Sequence, residues 1–344
     1  MLDGDILILR GSELSWLLEG REAEIIEVVH KAYEAHADGD SSLPFSNFLR
    51  FPGEPRNRII ALPAYLGKSF NVAGIKWVSS FPGNLEQGID RASAVMVLNS
   101  TQTGRPQAIL EGALISAKRT AASAALAAHV LQGDRRAEAA AFIGCGFINF
   151  QIARFLLTAC PELNTFVVFD TDAQRAEHFR SSCQSEFPGV RVEVIGTIEE
   201  ALARCPLVSF ATTAIEPHIF DLSPCAPGST ILHVSLRDLS PELILANDNV
   251  VDDAEHVCQA NTSVHLAEQK VGHRDFIRCA LADVLSGKMA PRRSAEGITI
   301  FSPFGLGILD IALAKLVFDR GIEQGQGTII NSFLPEPWAE KKEL

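Results

Sequence analysis

The sequence predicts an α/β protein in which an antiparallel α+β region is followed by a parallel sheet built from βαβ units. Three observations carry this. Four strand-like runs follow one another between Arg58 and Gly112 with only turns between them. From Ala139 onward, strand-like and helix-like stretches alternate. The 344 residues exceed what one hydrophobic core usually spans, so two domains are expected.

The elements follow in order. From Ser12 to Asp40, apolar residues recur at three- and four-residue spacing (Leu14, Leu17, Leu18, Ile25, Ile26, Val29), which predicts helix. Residues 41–57, with prolines, serines and a glycine, predict loop. The runs RIIALPAYL, VAGIKWVSS, ASAVMVLNS and PQAILEG predict strands, and their close spacing without helices predicts an antiparallel sheet. LISAKRTAASAALAAHVL is Ala-rich and helical. Then AAAFI, TFVVFD, VRVEVI, PLVSFAT, STILHVS and NVVDD read as strands, with helices between several of them and a long helical region to about Leu285. Such alternation predicts right-handed βαβ units on a parallel sheet. ITIFSPFGLGILDIALAKLVFDRG adds a strand, a glycine-bearing turn and a helix, and the charged tail EPWAEKKEL predicts a loose end.

Within AAFIGCGFINFQIARFLL, Gly144 and Gly146 stand between the first strand of the alternating half and its first helix. Each weakens a regular element, so the backbone there must serve something that tolerates no side chain. In this context the first glycine permits a tight turn. The second lets a pyrophosphate approach the positive end of the helix, which Phe147 and Ile148 open. The next strand ends at Asp170, 26 residues after Gly144, where a carboxylate accepts ribose hydroxyls. That carboxylate repels a 2′-phosphate, so the expected cofactor is NAD rather than NADP. Asn149 stands where the fingerprint has a third glycine or alanine, a position that serves helix–strand packing.

Composition bounds the partners. The net charge of −12 disfavours nucleic acid and anionic membrane surfaces. No uncharged apolar run approaches the roughly 18 residues of a membrane span, and the opening MLDGDILILRGSEL lacks the basic-then-apolar pattern of a signal peptide. Seven scattered cysteines without CxxC predict reduced thiols and a cytoplasmic location. His256, Cys258, His265, Glu268 and His273 follow no metal-ligand spacing, so no metal is expected.

Taken together, GIKWV, RASAVMVLN, SAKRTAASAALAAHVL, FIGCGF, VVFDTD and SPFGLGILDI resemble the ornithine cyclodeaminase/μ-crystallin family, in that family's order and over nearly the whole chain. The resemblance implies a Rossmann dinucleotide-binding domain over residues 117–305. It also implies an antiparallel substrate-binding and dimerisation domain over residues 1–116 with 306–344, and a homodimer formed through it. RIIALPAYLG, VAGIKWVSSFPGN and VVDDAEHVCQAN are most similar to the branch that oxidises N-(2-amino-2-carboxyethyl)-L-glutamate with NAD and hydrolyses the imine to 2-oxoglutarate and L-2,3-diaminopropionate, a precursor of siderophores and peptide antibiotics. Other family activities remain open, namely ornithine or lysine cyclodeamination and ketimine reduction, as does non-catalytic small-ligand binding. Ile60 stands where the family's cyclodeaminases carry a glutamate, which weighs against cyclisation.

The resemblance also implies roles. Lys76 matches the active-site lysine, Arg119 a substrate-carboxylate ligand, and Thr120 a residue near the cofactor phosphates. Asp238, just past a parallel strand, matches the catalytic aspartate and is the expected acid–base group; its bland reading is an acid stabilised by the following helix. Thr212, Thr213, Ser235, Ser302 and Gly305 are expected beside the dinucleotide. A substrate with three carboxylates needs fixed cations, and arginine binds carboxylates bidentately. Arg50, placed in a loop, and Arg58 and Arg91, each placed at a strand start, are the further candidates.

Overall fold

The computed structural model describes residues 4–335; the tail EPWAEKKEL lies outside the described residues. The described chain forms two compact units, one of residues 4–21, 38–116 and 307–335, the other of residues 22–37 and 117–306. In chain order the elements begin β1 (Ile6–Leu9), α1 (Gly11–Leu18), α2 (Glu22–Ala37), β2 (Ser41–Ser42), β3 (Asn47–Phe51), β4 (Glu54–Leu66), β5 (Val72–Ser80), β6 (Ala92–Asn99), β7 (Pro106–Glu111) and α3 (Ala113–Leu131). They continue β8 (Ala139–Ile143), α4 (Phe147–Ala159), β9 (Thr165–Phe169), α5 (Ala173–Glu186), β10 (Arg191–Val194), α6 (Ile198–Arg204), β11 (Leu207–Phe210) and β12 (Thr230–His233). The last are α7 (Pro241–Ala246), β13 (Asp248–Val251), α8 (Ala254–Val257), α9 (Ser263–Val271), β14 (Ile277–Ala280), α10 (Leu281–Leu285), β15 (Thr299–Ser302), α11 (Gly307–Glu323) and β16 (Thr328–Ile330).

The first unit is a sheet in the order β16-β1-β7-β6-β5-β4-β2, with β3 also on β4. Its pairs are antiparallel except β1 with β7. The two-residue period decides which side chains share a face. Leu62, Lys76, Met96 and Leu110 form one cross-strand row, and Ala64, Gly74, Leu98 and Ala108 the next. Helix α11 packs on this face: a Cβ at Gly307 would meet Ala64 at 3.4 Å, and one at Gly74 would meet Ile311 at 3.4 Å. The opposite face carries Ile59, Ala61, Pro63, Tyr65, Ile75, Val95, Val97 and Ile109, all half-exposed, and the exposed Trp77.

Several sequence expectations need correction here. Residues 41–57 are not loop: β3 and the start of β4 form a hairpin turning at Gly53, and Arg50 is a strand residue. Arg58 lies well inside β4, while Arg91 immediately precedes β6. The helical stretch 12–40 is two helices broken around Gly20, whose φ of 66° suits glycine. Helix α2 belongs with the second unit, not with the rest of residues 1–116, because its buried stripe Ile25, Val29, Ala32 and Tyr33 packs there; the Tyr33 hydroxyl lies 2.7 Å from Ser123 Oγ.

The second unit is an all-parallel sheet in the order β10-β9-β8-β11-β12-β15-β13-β14. Its central strands are apolar runs buried almost throughout, as a sheet covered on both faces requires. Successive connections run outward in opposite directions from β8 and β11, so the order reverses between them. The carboxyl ends of these two strands open the crevice in which such sheets bind ligands. The helical region expected up to Leu285 instead contains β14: α9 stops at Gly272, whose φ of 76° ends the helix, and the following chain pairs with β13. Among the described residues, no helix is long and apolar enough to cross a membrane.

Candidate functional site

At the end of β8 the chain turns through Gly144 and Gly146 into α4. Gly144 has φ of 90°, and a Cβ there would sit 2.7 Å from the Ala211 carbonyl oxygen, so only glycine fits. Gly146 is the N-cap of α4, and a Cβ there would meet nothing within 4 Å. The free space lies at the positive end of a 13-residue helix, a cradle that suits a pyrophosphate. Phe147, the first helical residue, is exposed, and Ile148 half-exposed. Asn149 takes the place of the third glycine for a clear reason. Its buried amide donates to the carbonyls of Ile143 (3.0 Å) and Gly144 (2.7 Å), and its oxygen accepts from Ser209 Oγ (2.7 Å), so it ties down the turn that the glycines leave loose.

Asp170 ends β9 beside this turn. One oxygen accepts the Cys145 N–H (2.8 Å) and the other the Asp172 N–H (2.9 Å). A carboxylate oxygen has a second acceptor site, so both can still take ribose hydroxyls. Arg175 stands 3.9 Å from Asp172. Burial and the neighbouring Asp170 charge push the Cys145 thiol up to about 12, so it stays protonated and unreactive.

Across the switch point, the segments after β11 and β12 converge on Asp238. Its carboxylate is fully buried and ringed by donors. Oδ1 accepts from Thr212 Oγ1 and faces His218 Nε2 at 3.1 Å. Oδ2 accepts from Ser235 Oγ, with His233 Nε2 at 3.3 Å. Burial pushes this carboxyl up, but the hydrogen bonds of His218 and His233, the His233 charge and the Ser235 hydroxyl together outweigh burial and hold it well below the usual carboxylate range. Asp238 is not the cap of the following helix; Ser240 is, its hydroxyl accepting from the Leu243 N–H at 3.3 Å. Thr213 lies exposed beyond Thr212, apart from this ring.

At the end of β15, Ser302 Oγ lies 3.3 Å from His233 Nδ1. The next turn is clamped by Asp252, whose oxygens accept the N–H groups of Phe304 (2.8 Å) and Gly305 (2.7 Å). Burial keeps the Asp252 carboxyl above its ordinary range despite these bonds. Gly305 has φ of 92°, and a Cβ there would lie 2.8 Å from Arg119 Nη1, so this glycine admits the guanidinium of the buried Arg119. Thr120, the next residue on α3, is half-exposed.

A second cluster lies in the antiparallel unit. Lys76 is 3% exposed and its ammonium donates to Asp310 of α11 (2.6 Å) and Ser116 Oγ (3.0 Å). Toward the end of the same face the register sets Arg50 opposite Arg58, and Arg58 opposite Ser80. Arg91 Nε reaches Ser80 Oγ at 3.3 Å, and burial lowers the pKa of this guanidinium. Ile60 falls between Arg58 and Leu62 on that face, apolar where a cyclodeaminase has an acid. Thus Lys76, Arg50, Arg58 and Arg91 converge on one face.

Asp310, His218, His233 and Asp252 are site residues that the sequence reading did not single out. Asp310 and His233 carried a signal: each is a polar residue inside an apolar run, GILDIALA and TILHV, and needs a partner when buried.

A glycine turn at the switch point, an acid closing the second strand and buried polar groups at the strand ends define a dinucleotide-binding Rossmann protein. The chain belongs to the ornithine cyclodeaminase/mu-crystallin family, whose model matches residues 17–325. It is similar to the N-((2S)-2-amino-2-carboxyethyl)-L-glutamate dehydrogenase of Staphylococcus aureus, 26% identical over 96% of this chain and 100% of that one. Among solved structures it is similar to the Thermococcus litoralis Delta(1)-pyrroline-2-carboxylate reductase in complex with NADH and L-proline, with TM-score 0.87 and 26% identity over 94% of this chain and 99% of that one. It is also similar to an archaeal alanine dehydrogenase dimer with bound NAD, with TM-score 0.84 and 28% identity over 95% of this chain and 99% of that one.

Proposed function

We propose that this chain oxidises N-(2-amino-2-carboxyethyl)-L-glutamate and hydrolyses the resulting imine to L-2,3-diaminopropionate and 2-oxoglutarate, in the cytoplasm, for siderophore or peptide natural-product synthesis. At the coarser level it is an NAD-dependent oxidoreductase acting on a small amino-acid substrate, as its dehydrogenase and reductase relatives are. The observation that carries the finer reading is the cation face: three arginines for a substrate with three carboxylates, with Ile60 instead of an acid among them.

NAD fits the residues present. Gly144 and Gly146 leave the phosphate cradle open and Phe147 and Ile148 start the helix above it; Asp170 would take the ribose, and Thr120, Thr212, Thr213, Ser235, Ser302 and Gly305 are assigned to the remainder. When bound, it accepts the two electrons of the oxidation. The arginines bind and orient the substrate carboxylates. The Lys76 charge is already matched by Asp310, so we assign to Lys76 hydrogen bonding to substrate or water rather than counter-charge. Arg119, beside Gly305, is assigned as a further cation for substrate. The proton transfers of amine oxidation and imine hydrolysis fall to the Asp238 cluster. The face carrying Ile75, Trp77, Val95 and Val97 is assigned to pairing with a second copy, in keeping with the dimer of the alanine dehydrogenase relative.

The test is steady-state NADH formation with N-(2-amino-2-carboxyethyl)-L-glutamate, with both products identified, beside L-proline, L-alanine and L-ornithine. Preferred turnover of the first substrate supports the reading; preferred turnover of another replaces it with that relative's activity. Light scattering of Trp77→Glu, expected to yield monomer where the unaltered chain is a dimer, tests the pairing face.

A further inference from the structure

We propose that His218 is the group that moves the proton in this site and that Asp238 is the positioning residue behind it. This rests on the oxidoreductase reading above and assigns its acid–base step to an atom.

Asp238 has no exposed surface, and both of its oxygens are already engaged: Thr212 and His218 at Oδ1, Ser235 and His233 at Oδ2. A carboxylate so enclosed is out of a substrate's reach. His233 is equally closed off, with no exposure and Ser302 at its other ring nitrogen. His218 differs. Its side chain is 40% exposed while its Nε2 faces the carboxylate at 3.1 Å. An ionised carboxylate only accepts hydrogen bonds, so Nε2 carries the proton that points at Asp238, and Nδ1 is the ring's acceptor on the other side. Such an arrangement fixes the tautomer and stabilises the imidazolium formed when Nδ1 takes a proton.

The backbone holds the ring in this position. The N–H groups of His218 and Ile219 both lie 2.9 Å from the Asp238 carbonyl oxygen, and Ser240 N–H donates to Ile219 O at 2.9 Å. Ile219 also bridges Leu239 in parallel register. The segment 211–222 is thus pinned to the segment bearing Asp238 at both main-chain and side-chain level, at the carboxyl edge of β11 and β12 where ligands of such sheets bind.

The step balances as follows. The substrate amine N–H bond breaks and its proton goes to His218 Nδ1. The electron pair of that bond forms the C=N bond as the Cα–H bond yields its hydrogen and electron pair to the nicotinamide, so the substrate carbon is oxidised and NAD reduced. In hydrolysis, His218 first returns that proton to the imine nitrogen, which makes the carbon electrophilic; neutral again, it takes a proton from the attacking water, passes it to the departing amine, and takes the hydroxyl proton as the C–N bond breaks and the carbonyl forms, so that one proton is finally released to solvent.

The experiment compares His218→Ala and Asp238→Asn in the full chain, with Thr212→Val as a milder probe of the carboxylate's surroundings. Read are kcat, KM, the NAD dissociation constant and rescue by added imidazole. The expected result for His218→Ala is a kcat loss of about 10²–10⁴-fold with KM and NAD affinity within about threefold, and partial recovery of kcat in imidazole. Asp238→Asn should lose kcat on a similar scale without imidazole rescue, because its own imidazole is present but misheld; Thr212→Val should lose less. His218→Ala keeping more than about a tenth of kcat overturns the assignment. So does a loss without rescue, or one accompanied by weakened NAD binding, which marks a structural role. If the unaltered chain turns over no candidate substrate, the proposed function fails, and the pairing is judged instead by NMR of the histidine rings. A His218 ring in the Nε2–H tautomer, whose Nε2 proton signal moves in Asp238→Asn, upholds the pairing, and the other tautomer or an unmoved signal ends it.

Discussion

Lys76 and Asp238 are both buried charges, one in each unit, and they are held in opposite ways. Lys76 faces the opposite charge of Asp310, which comes from 234 positions away in sequence. Asp238 is matched mainly by hydrogen-bond donors, and all of them lie within the span from Thr212 to Ser240. The first arrangement balances charge but depends on α11 docking on the antiparallel sheet. The second arises wherever β11 and β12 lie side by side, since their ends bring Thr212, His233 and Ser235 together. A pair made across a fold is lost when either partner is lost, whereas a ring of donors degrades step by step. The two clusters should therefore respond differently to substitution.

The largest expected effect is at the Lys76–Asp310 pair. Asp310→Ala takes the carboxylate away from a buried ammonium and should lower folding stability by about 3–5 kcal/mol. Replacing both members by apolar residues should restore most of that, a non-additivity read from denaturant unfolding of the single and double variants. A loss below about 1 kcal/mol in Asp310→Ala would erase the contrast between the clusters.

Next is Asp170→Ala, which removes charge-assisted hydrogen bonds worth about 1.5–3 kcal/mol. The NAD dissociation constant should rise roughly 10- to 100-fold, and discrimination against NADP should shrink because the repelling carboxylate is gone. Calorimetric titration with both cofactors decides this; unchanged NAD affinity would leave Asp170 as a brace for the Cys145 and Asp172 N–H groups alone.

Gly305→Ala should cost about 1–3 kcal/mol, since it forces a side chain into left-handed backbone and against the Arg119 guanidinium. Thermal unfolding measures it, and a stability equal to the unaltered chain would mean that Arg119 is not confined by this turn.

The smallest effect in ordinary buffers concerns pH. The folded-state pKa of Asp238 is depressed, so its contribution to stability is complete above the ordinary aspartate value near 4 and is lost as pH falls through the folded value. Asp238→Asn should be less stable than the unaltered chain at neutral pH, with the gap narrowing in acid. Denaturant midpoints from pH 7 down to about 2 follow this, and a constant gap would show that the carboxylate's charge contributes nothing.

The two units also differ in how legible they are. In the parallel unit, the glycine turn, Asp170 and Asp238 could be read because each sits at a strand end, where the βαβ period itself marks the position. Asn149 looked like a departure and proved to be a substitute, its amide bonding the very carbonyls of the turn. In the antiparallel unit, the loop expected for residues 41–57 hid a hairpin. With it went the facing of Arg50 and Arg58, because register exists only once both paired strands are recognised. Four strands were read where the sheet has eight: β1, β2, β3 and β16 are short, and β1 pairs in parallel with a strand about a hundred residues later, which no local pattern announces.

The sequence by itself determined the alternation of strand and helix, the phosphate-binding turn and the family, since these depend on residues near one another in the chain and on backbone freedom that only glycine has. Tertiary structure alone decided that Lys76 is neutralised by Asp310, that three arginines share one sheet face, and that Asp238 is sealed behind His218. Charge pairing, facing and exposure are set by which distant segments pack together, and the energy of a buried charge depends on those neighbours rather than on its place in the chain.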